Sequence, residues 1–188
     1  HAPSTPSAFA GSPVDNRVAS ADTRATATQG STATPRVALV TGAGKRLGRA
    51  IALALAQDGW DIGVHCRDSV AEAEQTVEEI RAQDRRAVVL QADLDDAAQC
   101  QMLVPRLADA LGPVSGLVNS ASRFEHDDIR SFTPESLQQH LVPNLMAPLL
   151  LAQSLASQLP AAPVQGVIVN LLDQKLFNLN PDFLSYTL

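Results

Sequence analysis

The chain has 188 residues with 45% hydrophobic and 18% charged side chains, which leaves room for one packed domain and is too apolar for disorder throughout. Its formal charge of −6, from 14 basic and 20 acidic residues, leaves no cationic stripe to track a nucleic acid. The longest apolar stretch, 145–151, is interrupted by Pro148 and falls far short of the roughly 18 residues that a membrane helix requires, so no membrane partner is expected.

Residues 1–34 are rich in Ala, Ser, Thr, Pro and Gly with hardly a large apolar side chain, and read as a disordered tail ahead of a domain spanning 35–188. Asp15 and Asp22 argue against a transit peptide. Two cysteines, Cys66 and Cys100, make no disulfide framework, and neither a Cys-x-x-Cys pair nor clustered histidines point to a metal. A reducing, cytoplasmic setting is expected.

From Arg36 onward, short β-rich runs alternate with segments of helical period. Strands are expected at 37–41, 61–65, 87–91, 116–119 and 166–171, their continuous apolar character fitting a parallel sheet covered on both faces. Helices are expected at 46–57, 70–83, 97–111 and 134–158, the third stopped by Gly112 and Pro113. Right-handed crossovers make this a Rossmann-like, doubly wound α/β fold of three α/β/α layers, with ligands beyond the carboxyl ends of the strands.

The first strand runs into Thr41-Gly42-Ala43-Gly44-Lys45-Arg46-Leu47-Gly48 and then a helix. Such a turn lets backbone approach a pyrophosphate while the helix N-terminus offers free N–H groups; a plain tight turn is the alternative. After the second strand come His65, Cys66, Arg67, Asp68 and Ser69. Arg67, Ser69 and Lys45 can donate to a 2′-phosphate, favouring NADPH over NADH, whereas an inward Asp68 would favour a ribose hydroxyl and Arg67 alone could be a solvated surface residue. Asp93 ends the third strand and could instead cap the next helix. Asn144, between Pro143 and Pro148 in an apolar stretch, needs hydrogen-bond partners and is either a satisfied amide or a functional one. Cys66 reads as a small buried residue, His126 and His140 as surface or helix residues, and Glu72, Glu74, Glu78 and Glu79 with Arg81 as a solvated face.

The turn Thr-Gly-x-x-x-Arg-x-Gly resembles that of the short-chain dehydrogenase/reductase family, whose usual motif has glycine where Arg46 stands. Arginine there looks like the pteridine reductase branch, as do Asn119-Ser120-Ala121-Ser122 and the run from Asp173-Gln174-Lys175 to Ser185-Tyr186-Thr187. The resemblance implies an NADPH-dependent reductase with cofactor contacts from Gly42, Lys45, Arg46, Leu47, His65, Arg67, Ser69, Asp93, Leu94, Asn119, Ala121 and Ser122. Ser120 departs from the family's second asparagine. A pterin- or folate-like substrate would lie among Arg46, Ser122, Phe124, Asp173 and Tyr186, with Phe124 as an aromatic plate unless it is a core or lid residue.

In the family, Asn144 would distort its helix and hold a relay water, and Asp173 and Tyr186 would supply protons. A carboxyl beside a phenol suits a ring whose nitrogen must be protonated as hydride reaches the adjacent carbon. Most of the family has serine where Asp173 stands, so a carbonyl reductase (3-oxoacyl or ketone) is the rival reading.

The family's lysine, four residues after the tyrosine, would be residue 190, whereas the sequence ends at Leu188. The expectation is therefore a C-terminally incomplete domain, inactive as it stands, within a gene product that carries the lysine and forms a homo-oligomer. A dinucleotide-binding fragment or pseudoenzyme is the alternative from another functional class.

Overall fold

The computed structural model describes residues 36–159 and 165–188, so the expected tail at 1–34 lies outside the described residues. Strands β1 (Arg36–Val40), β2 (Trp60–Cys66), β3 (Ala87–Gln91), β4 (Val114–Asn119) and β5 (Val167–Asn170) form one parallel sheet in the order β3-β2-β1-β4-β5. The winding reverses between β1 and β4, which opens a crevice at their carboxyl ends.

Alternation along β1 divides the core in two. Ala38 and Val40 pack with Ala52 and Ala56 of α1 (Arg46–Gln57) and with Val77 and Ile80 of α2 (Val70–Arg81). Val37 and Leu39 pack with Leu103 and Leu107 of α3 (Ala97–Leu111), and with Leu151 and Leu155. Burial on both faces is why the first four strands read as mainly apolar runs, with Asp61 and His65 of β2 buried as polar exceptions. The fold is the expected Rossmann-like, doubly wound α/β sheet.

Two expectations about the helices change. The stretch 134–158 is α4 (Pro134–Leu141) and α5 (Ala147–Gln158), joined by a π-helical turn over Val142–Met146. The cause is two prolines without N–H groups: Pro143 leaves the Gln139 carbonyl without its helical donor, and Pro148 does the same to Asn144. The Arg123 guanidinium takes up the Gln139 carbonyl at 3.2 Å. The second change is at α3, where Asp96 is the cap, accepting from the N–H groups of Ala98 and Gln99. Asp93 therefore does not cap that helix.

Strand β5 also departs from the covered-strand reading. It pairs with β4 on one side, and Val167, Ile168 and Val169 are 53%, 44% and 47% exposed. Beyond it lie a 3-10 turn (Gln174–Leu176) and a short helix, α6 (Leu184–Thr187). Among the described residues no helix is long and apolar enough to cross a membrane.

Candidate active site

The glycine turn is built by close backbone approach. Gly42 has φ +65°, and a Cβ on Gly48 would sit 2.4 Å from the Gly42 carbonyl oxygen, so α1 starts directly against the turn. No side chain caps that helix, which leaves its first N–H groups facing the crevice as an anion-binding end. Arg46 adopts φ +50°, a left-handed conformation that costs a non-glycine residue on the order of 1 kcal/mol. Behind the turn, buried His65 accepts from the Gly42 N–H at Nδ1 (3.1 Å) and faces the Ala92 carbonyl through Nε2 (3.2 Å). Its ring buttresses the turn, and burial pushes its pKa down to about 4, so it is neutral near pH 7.

The next segment of the crevice is charged. Lys45 pairs with Glu72 at 2.7 Å, and Arg67 with Asp68 at 2.8 Å. Asp68 is thus turned onto Arg67, and Glu72, expected on a solvated face, neutralises a cation of the site. Both pairs are largely solvent-exposed, so an incoming phosphate can compete for either cation. Ser69 lies against Gly44, Asp93 Oδ1 accepts from the Asp95 N–H, and Leu94 is buried beneath them.

At the other end, the Thr41 hydroxyl accepts from the N–H groups of Ser120 and Ala121, docking the loop after β4 onto the glycine turn. Buried Asn119 donates to Asn170 Oδ1 at 2.8 Å, and its own Oδ1 has no partner among the described residues. Asn144 makes a two-way clamp on Arg123, accepting from its N–H at 2.7 Å and donating to its carbonyl at 2.9 Å. The Tyr186 hydroxyl donates to Asp173 Oδ2 at 3.2 Å. Phe124, 49% exposed, stacks on Phe183 with ring centroids 4.1 Å apart and meets Tyr186 edge-on at 4.7 Å.

These residues line two adjoining cavities. A cleft of about 860 Å³ is lined by Gly42, Lys45, Arg46 and Leu47 of the turn, with His65, Arg67, Ser69, Asp93, Leu94, Ala121, Ser122, Phe124, Asp173 and Tyr186. A second, of about 670 Å³, takes Asn119 and Asn144 and shares Ala121, Ser122, Asp173 and Tyr186 with the first. A glycine turn under an uncapped helix, with a phenol and a carboxylate at the far end of the same cleft, is a dinucleotide-and-substrate arrangement.

The short chain dehydrogenase family profile matches residues 36–187. The chain belongs to that family. It is 35% identical over 136 residues to an uncharacterized oxidoreductase of Methylorubrum extorquens, covering 72% of this chain and 54% of that protein. Over 84 residues it is 38% identical to a 3-oxoacyl-[acyl-carrier-protein] reductase of Staphylococcus aureus, covering 45% and 34%. Among solved structures, FolM alternative dihydrofolate reductase 1 of Brucella suis, in complex with NADP, superposes with TM-score 0.76 at 36% identity, covering 81% of this chain and 63% of that one. The promiscuous reductase LugOII, which catalyses keto-reduction at C1 during lugdunomycin biosynthesis, superposes with TM-score 0.73 at 29% identity over 81% and 62%. The chain thus spans about half the length of the first of these curated relatives and under two thirds of the solved structures.

In this oxidoreductase fold the Tyr186 phenol is not acidified by its described neighbours. Burial raises its pKa above the ordinary value, and the Asp173 carboxylate raises it further. The hydrogen bond instead joins the phenol, as donor, to the carboxylate, as acceptor. Burial also raises the pKa of the Cys66 thiol and pushes that of Cys100 up to about 11, so both behave as packing residues.

Sequence reasoning missed Phe183 and His140. Phe183 shares the aromatic plate with Phe124, and its signal was present, an aromatic residue three before Tyr186. His140, expected at the surface or on a helix, is helical but buried: Nε2 accepts from the Glu125 N–H, and Nδ1 lies 2.8 Å from the Ser136 carbonyl.

Proposed function

We propose that the protein is an NADPH-dependent reductase of a dihydropterin- or dihydrofolate-like heterocycle. The observation that carries this reading is the Asp173–Tyr186 hydrogen bond beside the half-exposed Phe124 ring. The resemblance to pteridine reductases supports it, as does the likeness to the Brucella dihydrofolate reductase.

The residues fit the cofactor: the turn closes tightly enough on itself that Gly42 and Gly48 both reach the cleft wall, and the uncapped start of α1 suits a pyrophosphate. Arg46 adds charge there, and Lys45, Arg67 and Ser69 would take the 2′-phosphate. NADPH, when bound, supplies the hydride. Asp173 and the Tyr186 hydroxyl, held in line with each other, would then supply protons to the ring, each being reprotonated from solvent. Asn144 fixes the Arg123 backbone and with it the approach of Phe124, against which a flat ring can stack.

Similarity to 3-oxoacyl and keto reductases favours one second reading, in which Tyr186 alone protonates a carbonyl. The natural gene product is assayed with NADPH on a dihydropterin, dihydrofolate and a simple ketone, beside Asp173→Ser. Dihydropterin or dihydrofolate turnover that Asp173→Ser removes is the expected result. Ketone turnover indifferent to Asp173→Ser overturns it in favour of the second reading, and NADPH binding with no turnover of any substrate leaves only a dinucleotide-binding module.

A further inference from the structure

We infer that Asp127 is a positioning residue for Tyr186, an inference that rests on the reading of Tyr186 as a proton donor. Asp127 lies in the loop after β4 and is 4% exposed, yet no cation pairs with its carboxylate among the described residues. Its oxygens accept instead from three groups on two helices. Oδ1 takes the Ser185 N–H at 2.9 Å, while Oδ2 takes the Ser185 hydroxyl in a short contact and the Ser136 hydroxyl at 2.9 Å. The Asp127 carbonyl also accepts from the Leu184 N–H at 2.9 Å. Two successive backbone N–H groups at the start of α6 are therefore held by one residue, immediately before Tyr186.

A four-residue helix has no cooperativity of its own, and α6 has no capping side chain on Phe183. Its direction depends on what holds Leu184 and Ser185. Ser136 makes that anchor rigid, because it is locked in the Thr133 capping box that starts α4. The path from α4 through Ser136 and Asp127 to Ser185 thus sets the angle at which the Tyr186 ring leaves the backbone and meets Asp173. Asp127 itself lines neither cavity, so its action on the reaction is indirect. Burying an unpaired carboxylate is costly unless its lone pairs are filled, and here Ser185 and Ser136 fill them.

The test is made in the natural gene product with Asp127→Ala, Asp127→Asn and Ser185→Ala, beside Tyr186→Phe. Expected for Asp127→Ala is a fall in kcat on the order of 10- to 100-fold with NADPH affinity unchanged, since a misaimed donor slows chemistry without touching the glycine turn. Asp127→Asn should recover most of the loss, because its amide oxygen still accepts from the Ser185 N–H and its NH2 can donate to a serine oxygen. Should Asp127→Ala fail to fold, Ser185→Ala carries the test with the same split in the same direction. Unchanged kcat in the folded variants overturns the inference, as does a parallel loss of kcat, NADPH affinity and melting temperature. A fully active Tyr186→Phe overturns the proton-donor reading and the inference with it. An inactive Tyr186→Phe beside fully active Asp127 and Ser185 variants overturns the inference alone.

Discussion

The two ends of the cleft are built by different means. The glycine-turn end is held by backbone: Gly48 against the Gly42 carbonyl, Ala121 against Gly42, and the Thr41 hydroxyl receiving two main-chain N–H groups. The reducing end is held by side chains, with Tyr186 on Asp173, Asn144 on Arg123 and Phe124 on Phe183, beside a strand whose residues are about half exposed. The first end therefore shares its free energy with the core, and a change there should cost stability and cofactor affinity together. The second can lose an interaction and keep its fold, so a change there should cost rate.

Tyr186→Phe should show the larger effect and the cleaner separation. It removes one hydroxyl bonded to an exposed carboxylate, so unfolding free energy should change by less than about 1 kcal/mol. Turnover should nonetheless fall by roughly 10²- to 10⁴-fold, as for loss of a general acid. Gly48→Ala should do the reverse. Its Cβ, 2.4 Å from the Gly42 oxygen, must push the turn away from α1, at a cost of about 3 kcal/mol, and NADPH titration should show binding lost with it. Denaturant unfolding and NADPH fluorescence measured on both variants decide it. If Tyr186→Phe proves as destabilising as Gly48→Ala, the two ends are one cooperative unit and the contrast fails.

His65 sharpens the same contrast through pH. The unfolded chain binds a proton near the ordinary pKa of 6.5, whereas the folded ring does so only near 4, because burial disfavours the imidazolium. The stability this gives is complete above pH 6.5 and is lost as pH falls from there toward 4. By pH 5 the loss from this group should reach about 2 kcal/mol. Urea unfolding at pH 7.5, 6 and 5 should show that slope in the wild type and its reduction in His65→Gln. An equal slope in the two proteins removes His65 from the account.

How legible each end was follows from the same physics. Strands β1 to β4 were readable because a strand buried on both faces is mainly apolar, and the glycine turn because its residues are consecutive and lie between a strand and a helix. The π-helical turn was half legible: Pro143 and Pro148 marked trouble around Asn144, but a proline pair does not reveal which turn will form. Asp127 was not legible at all, and His140 only as a helix residue, not as a buried one. Asp127 acts on Ser185, 58 residues away, and no local periodicity encodes a contact made only when α4, α6 and the loop after β4 come together. Glu72 was legible as part of a solvated face, but the acidic pattern of α2 does not say which carboxylate of that face finds Lys45.

That pair gives the smallest effect and the finest test of the cofactor end. Lys45 is expected to meet the 2′-phosphate, yet it donates to Glu72, whose carboxyl is held below its usual pKa chiefly by that hydrogen bond. Glu72→Gln removes the competitor's charge and frees Lys45 without moving backbone. NADPH affinity should rise about twofold to fivefold at low salt, the modest scale of an exposed ion pair, and the gain should shrink as salt screens it. NADH affinity should stay where it was, because its ribose carries no phosphate for Lys45 to find. An equal gain for both cofactors, read by isothermal titration, would place Lys45 on the shared pyrophosphate instead. The 2′-phosphate would then fall to Arg67 and Ser69, and the cationic end of the cleft would recognise dinucleotides in general, with its preference for one of them set beyond the glycine turn.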